Sequence, residues 1–163
     1  MGSLYGGFFR RLCAAMVDQL ILLGIYFLYL LAVLVSGFFA INVGEWSAEP
    51  EGFLIRGGLI IFLFHLWCFI TWFGYYTYFH GATGQTPGKK LFSLKVVDPM
   101  GGRIRPSIAF LRTAGYLLSA SIFFLGFLWV LVDKKRRSWH DLIAGTVVVR
   151  EREKHLDKGR DIY

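Results

Sequence analysis

The sequence predicts an α-helical polytopic membrane protein with two full spanning helices, a returning or re-entrant helical pair, and a small cytoplasmic β hairpin or sheet. Three observations carry this. Two apolar runs are each long enough to cross a bilayer, every Lys and Arg except Arg56 lies outside the acidic segment between them, and two strand-like stretches flank the later basic segments. The net charge of +7 over 163 residues therefore gathers beside apolar runs. That arrangement points to an anionic inner leaflet, and no nucleic-acid partner is expected because no recognition motif accompanies the bases.

The first run, residues 12–41, holds Asp18 and no Lys or Arg. At about 1.5 Å per helical residue it reaches roughly 45 Å, a bilayer with its headgroups. It is about twice as long as the apolar part of a secretory signal, so it is expected to stay attached as the first span. The second run, residues 57–79, has no Asp, Glu, Lys or Arg and exceeds the roughly 20 residues that cross a hydrocarbon core. Between them Glu45, Glu49 and Glu51 face one base, Arg56. By the positive-inside rule this loop faces away from the cytoplasm, and Arg10 and Arg11 put the N-terminus inside.

The third apolar stretch, residues 106–132, precedes Asp133-Lys134-Lys135-Arg136-Arg137, and Lys89, Lys90, Lys95, Arg103 and Arg105 come before it. A single crossing would strand four bases outside, against the charge rule. Two short helices, about 106–118 and 121–132, meeting near Ser119–Ser121 or at Gly126, would bring the chain back if protein covers their break. The rival is one long tilted span with an external C-terminus.

Residues 91–98 have strand composition, Pro99-Met100-Gly101-Gly102 supplies a turn, and Arg103-Ile104-Arg105 follows, so a hairpin is expected there. Residues 146–150 are a further β-branched strand, and pairing it with the hairpin needs both on one side of the membrane. Residues 1–150 thus read as one membrane domain and 151–163 as a charged cytoplasmic tail.

Cys13 and Cys68 lie in apolar helices without ligand spacing and read as packing residues. His65 is expected to be neutral and hydrogen-bonded within the bundle, while Trp67, Trp72 and Tyr75–Tyr78 suit packing and an interfacial belt. Gly57, Gly58 and Gly74 would permit close helix contact. Residues 81–90 imitate a phosphate loop, but Thr83 stands at its first glycine and Lys90 at its metal-binding hydroxyl. Lys89 and Lys90 read instead as a basic inner-leaflet anchor. His140-Asp141 is only a dipeptide, with His80 and His155 scattered elsewhere, so no enzyme activity, cofactor or metal is expected.

Arg10-Arg11-Leu12 with Ala15 and Asp18, then Thr86-Pro87-Gly88-Lys89-Lys90-Leu91 running into Lys95–Asp98, then His140–Thr146 with Val147–Val149, together resemble the RDD family of small membrane proteins. The likeness covers about residues 4–150. It carries the family's arginine and two aspartates onto Arg11, Asp18 and Asp141, with Arg10 and Asp133 as alternative claimants. It implies a candidate for transport, including the cation/proton exchange attributed to some members, or a part of a larger membrane protein.

An acid at the centre of a spanning helix costs about 2.5 to 3.5 kcal/mol on insertion scales. Asp18 is therefore either an interfacial residue orienting the helix with Gln19, half of a buried salt bridge with Arg11 or Arg112, or a protonatable or cation-binding group at the inner mouth of a bundle. Asp141 fits the third helical position of a capping box begun by Ser138, with Gly145 as the stop, or pairs with Arg11 or another base. Two functions follow: a cation/proton transport component that must oligomerise to enclose a route, or a non-catalytic accessory or assembly subunit in a larger complex. Both belong in a bacterial cytoplasmic membrane with the N- and C-termini inside.

Overall fold

Long apolar runs with good helix formers dominate the computed structural model, which describes residues 5–42 and 50–151. The acidic segment 43–49 and the tail 152–163 lie outside the described residues. Helix α1 covers Phe8–Asn42 and α2 Pro50–Thr83, both longer than the apolar runs that predict them because each takes in flanking residues, Arg10 and Arg11 in α1 and Arg56 and His80 in α2 among them. Phe8–Ala40 and Ile55–Thr83 are long and apolar enough to cross a membrane.

The chain divides into two compact units, residues 20–72 and residues 1–19 with 73–163. In the first, Leu22 is the only buried residue among those described. Its helices touch through Tyr29, stacked on Phe64 and Trp67 at 5.6 and 5.5 Å, and through Tyr26, whose hydroxyl donates to the Cys68 carbonyl at 3.1 Å. His65 Nδ1 lies 2.8 Å from the Ile61 carbonyl, one turn back in its own helix. Cys13 and Cys68 are free thiols.

The second unit holds the remaining elements. Thr86 caps α3 (Pro87–Leu91), accepting from the Lys89 N–H at 3.2 Å, and Pro87 loses nothing at the first helical position. Strand β1 is only Leu94–Val97. The expected strand over 91–98 is thus cut to four residues, since α3 runs to Leu91 and Ser93 turns the chain at φ +53°.

The turn after β1 forms, with Asp98 Oδ1 accepting from Gly102 N at 2.6 Å. The hairpin does not: Ile104 is buried in the core and Arg105 precedes α4 (Pro106–Ser121), so β1 pairs instead with the distant β2 (Val147–Arg150). The sheet is two-stranded and antiparallel, matching Val96 with Val148 and Val97 with Val147, and Tyr5 adds a bridge to Val149. Period-two alternation sends Leu94, Val96 and Val148 against Ala14, Ile104 and Ala109, while Val97, Val147 and Val149 meet Tyr5.

No single straight helix covers 106–132. After α4 the chain turns by 110° into α5 (Leu125–Leu128) and a 3-10 turn at Trp129–Leu131. Phe123 and Phe124 make the turn in the left-handed region at φ +46° and +59°, just beyond the first break the sequence suggests. Gly126 lets α5 return, because a Cβ there would lie 2.5 Å from Ser119 Cα. Helix α6 (Trp139–Ile143) then packs on α4, where Gly115 leaves room for His140.

Candidate functional site: a buried polar network

The second unit buries eleven polar or charged side chains among its described residues, where polar groups need partners to offset lost hydration. Most of them gather in three clusters.

Asp18, on α1, is fully buried. Its Oδ1 accepts from Tyr75 Oη and Gly88 N, both at 2.8 Å, and its Oδ2 accepts from Thr86 Oγ1 at 2.5 Å. Gly88 is required at this approach, since a Cβ would collide with the Ala14 carbonyl and sit 2.8 Å from Asp18 Oδ1. Thr86-Pro87-Gly88 is therefore the seat of a carboxylate from the same chain. Asp18 makes no ion pair with Arg11 or Arg112, which turn to Asp141; three uncharged donors satisfy it.

Asp141, at the third position of α6, is the junction of the second cluster. Arg11 Nη1 donates to Oδ2 at 2.6 Å, Arg112 Nη2 pairs with Oδ1, and Ser138 N donates to Oδ2 at 3.0 Å. Helix capping and ion pairing, the two expectations for Asp141, coexist. Arg11 also reaches the Gly6 and Arg136 carbonyls at 3.0 and 2.6 Å, and Arg112 reaches Thr146 Oγ1 at 2.5 Å. Burial alone would raise the Asp141 carboxyl, but the Arg112 and Arg11 guanidiniums hold it far below the usual carboxylate range.

The third cluster surrounds Lys89. Its Nζ lies 2.6 Å from His80 Nε2 and donates to Tyr116 Oη at 3.3 Å. Burial lowers the ammonium below the ordinary lysine range, and Arg112 acts in the same direction. Lys89 is thus interior, a correction to its expected place as a lipid anchor; exposed Lys90 keeps that role open. Tyr116 also accepts from Arg112 Nε at 3.4 Å, joining the second and third clusters. His140 packs edge-on to Tyr116, with Nδ1 3.3 Å from Ser119 Oγ, and burial holds its imidazole well below the usual histidine range despite Asp141.

Arg11, Arg112 and Asp141 are brought together, and Asp18 forms its own cluster with Tyr75, Thr86 and Gly88. Asp133 stands apart, accepting from Arg137 Nη2 at 2.9 Å, which draws its carboxyl down to about 2. Arg10 is exposed and makes no part of the buried network. No sequence pattern assigns Lys89, His80, Tyr116 and Thr146 to a buried network; the available signal is the Thr-Pro pair at 86–87, which starts a helix and not a phosphate loop. Among the described residues no group of three or more His, Cys, Asp or Glu is placed to hold a metal.

The sequence profile of the RDD family matches residues 5–145, which contain Asp18, Lys89, Arg112 and Asp141 and stop one residue short of Thr146. The chain is 39% identical to "Uncharacterized protein YxaI" of Bacillus subtilis over 64 residues, covering 39% of this chain and 42% of that protein. It is 32% identical to "Proline-rich antigen" of Mycobacterium leprae over 65% of this chain and 42% of the relative. It is 28% identical to "Proline-rich antigen homolog" of Mycobacterium tuberculosis over 89% of this chain and 63% of the relative. The chain thus spans between about two fifths and two thirds of the length of these curated relatives. No solved structure matches it.

Proposed function

The chain belongs to the RDD family, and from that premise we propose that it is a non-enzymatic accessory or assembly subunit of a larger membrane complex. In this reading it resides in a bacterial cytoplasmic membrane with both termini inside, and the bent pair 106–131 enters and returns on the cytoplasmic side. The exposed apolar faces of residues 20–72 meet lipid, further copies of the chain, or partner helices. The observation that carries the reading is the state of Asp18: fully buried, with both oxygens occupied by donors of its own unit. A carboxylate that serves as an ion relay must exchange partners with water or cargo, and this one is held as a structural acceptor.

A second reading, cation/proton transport by an oligomer, is favoured by the close contact of Lys89 Nζ and His80 Nε2 in a buried site. Among the described residues His80 Nδ1 has no hydrogen-bond partner. Two titratable groups sharing one proton can pass it on if a path reaches them.

Proton flux driven by a cation gradient in liposomes separates the two. Correctly inserted wild type is expected to leak no faster than protein-free vesicles, and Asp18→Asn to match it. Flux in the wild type that disappears in Asp18→Asn would replace the accessory reading with transport.

A further inference from the structure

The buried network leaves a different group of bases outside it. A cavity of about 510 Å³ opens where α1 begins and the 3-10 turn ends, lined by Arg10, Lys134, Arg136 and Arg150 together with Phe9 and Leu131. Its volume is in the range of small-ligand sites. The turn that supplies two of these bases is built for display. Asp133 Oδ2 accepts from Lys135 N and Arg137 N, both at 3.0 Å, and its carboxylate is committed to the Arg137 guanidinium. Asp133 also lines the cavity, but its charge is already balanced, so it does not offset Arg10, Lys134 and Arg136. Arg136 sits at φ +51°, with its carbonyl held by Arg11 Nη2 at 2.6 Å. The network thus fixes the backbone from which Arg136 projects.

We propose that this groove is a binding site for the headgroup of an anionic phospholipid. The chemistry shared with any phosphate ligand is recognition of phosphoryl oxygens by guanidinium and ammonium groups. The lipid is singled out by the rest of the lining. Phe9, 76% exposed, lies in the first turn of α1, which is long and apolar enough to cross a membrane, and Leu131, 63% exposed, ends the bent pair 106–131, which is apolar enough to do so only when its two helices are taken together. A free phosphate has no use for them, whereas acyl chains leaving a bound headgroup would cover them. Charge and apolar surface meet in one cavity, the arrangement an amphiphile requires. This inference does not depend on whether the protein transports or assembles.

The test is titration of the full-length protein in neutral detergent with phosphatidylglycerol, phosphatidylcholine and inorganic phosphate, counting bound ligand by native mass spectrometry. The wild type is expected to retain phosphatidylglycerol at least tenfold more tightly than phosphatidylcholine. Arg10→Gln with Lys134→Gln should abolish that preference, while Arg103→Gln with Arg105→Gln, equal in charge but away from the groove, should keep it. Equal retention of the two lipids, equal losses in both double variants, or a preference that survives the groove variant each overturns the site. Inorganic phosphate displacing the lipid at equal concentration overturns the choice of lipid as the occupant. A thermal melt of each variant in the same detergent identifies any loss caused by unfolding, and the conservative pair Arg10→Lys with Lys134→Arg then serves as the check, since it must retain the preference.

Discussion

Residues 20–72 and the unit formed by residues 1–19 with 73–163 solve opposite problems with the same chain. The first exposes apolar side chains along nearly its whole described length, with Leu28 65% exposed, and buries Leu22 alone. The second buries Asp18, Lys89, Arg112, His140 and Asp141. In a membrane the first unit has no water to escape from, so burying more side chain yields little; in the second, the specificity lies in matching donors with acceptors. Substitutions should therefore weigh very differently in the two units.

The sharpest way to break the contrast is Asp141→Ala. It strands Arg112, whose side chain is 1% exposed, and leaves Arg11 without its acid. Removing one partner of a buried pair costs about 3 to 5 kcal/mol. Thermal unfolding in detergent should show loss of the cooperative transition or a large fall in Tm; a melt within a degree of wild type would mean the network carries no stability. Gly88→Ala comes next, because its methyl must enter space held by the Ala14 carbonyl and Asp18. Such overpacking costs about 1 to 3 kcal/mol, to be read in the same melts.

Acid adds a smaller, graded effect from His140. Burial keeps it neutral in the folded state, whereas the unfolded imidazole titrates near the ordinary value of about 6.5. Below that pH the unfolded state binds the extra proton, so stability falls with pH by up to about 1.4 kcal/mol per unit until the folded value is reached. The Asp141 contribution has its own window: it is complete above about pH 4 and is lost only as pH falls toward its much lower folded value. Melts between pH 7 and 5 thus contain the share of His140 beside that of the other buried histidine, His80, and His140→Gln should reduce their slope; an unchanged slope would assign the acid response elsewhere.

The sequence exposes the first unit more readily than the second, for a physical reason. A span is a continuous property of composition, so α1 and α2 can be read from uninterrupted apolar runs, and the charge rule adds their expected orientation. The network is a property of distant pairs: Arg11 meets Asp141, and Asp18 meets Thr86 and Gly88, across separations that no local pattern encodes. Capping at Ser138 is visible because its partner lies three residues away. The strand misreading at 91–98 has the same origin. Its β-branched composition is real only in Val96 and Val97, while the Thr-Pro helix start just upstream decides the fate of Leu91. The expected hairpin fails because β2 offers β1 a continuous valine partner, whereas Ile104 is better used in the core.

The smallest effect is expected from Leu28→Ala, in the middle of α1. In a soluble protein, truncating a core leucine leaves a cavity and costs about 2 to 5 kcal/mol. Leu28 makes no core, and lipid chains or detergent can fill the space its side chain leaves. The expected change in stability is below about 0.5 kcal/mol, as for substitutions away from packed features. The measurement is the same thermal melt, paired with a size determination in detergent. An unchanged melt with unchanged size leaves this face to lipid. A large loss of stability that follows loss of an oligomer would instead identify Leu28 as part of a helix contact between copies, and the first unit would then have a packed interior that the single chain does not contain.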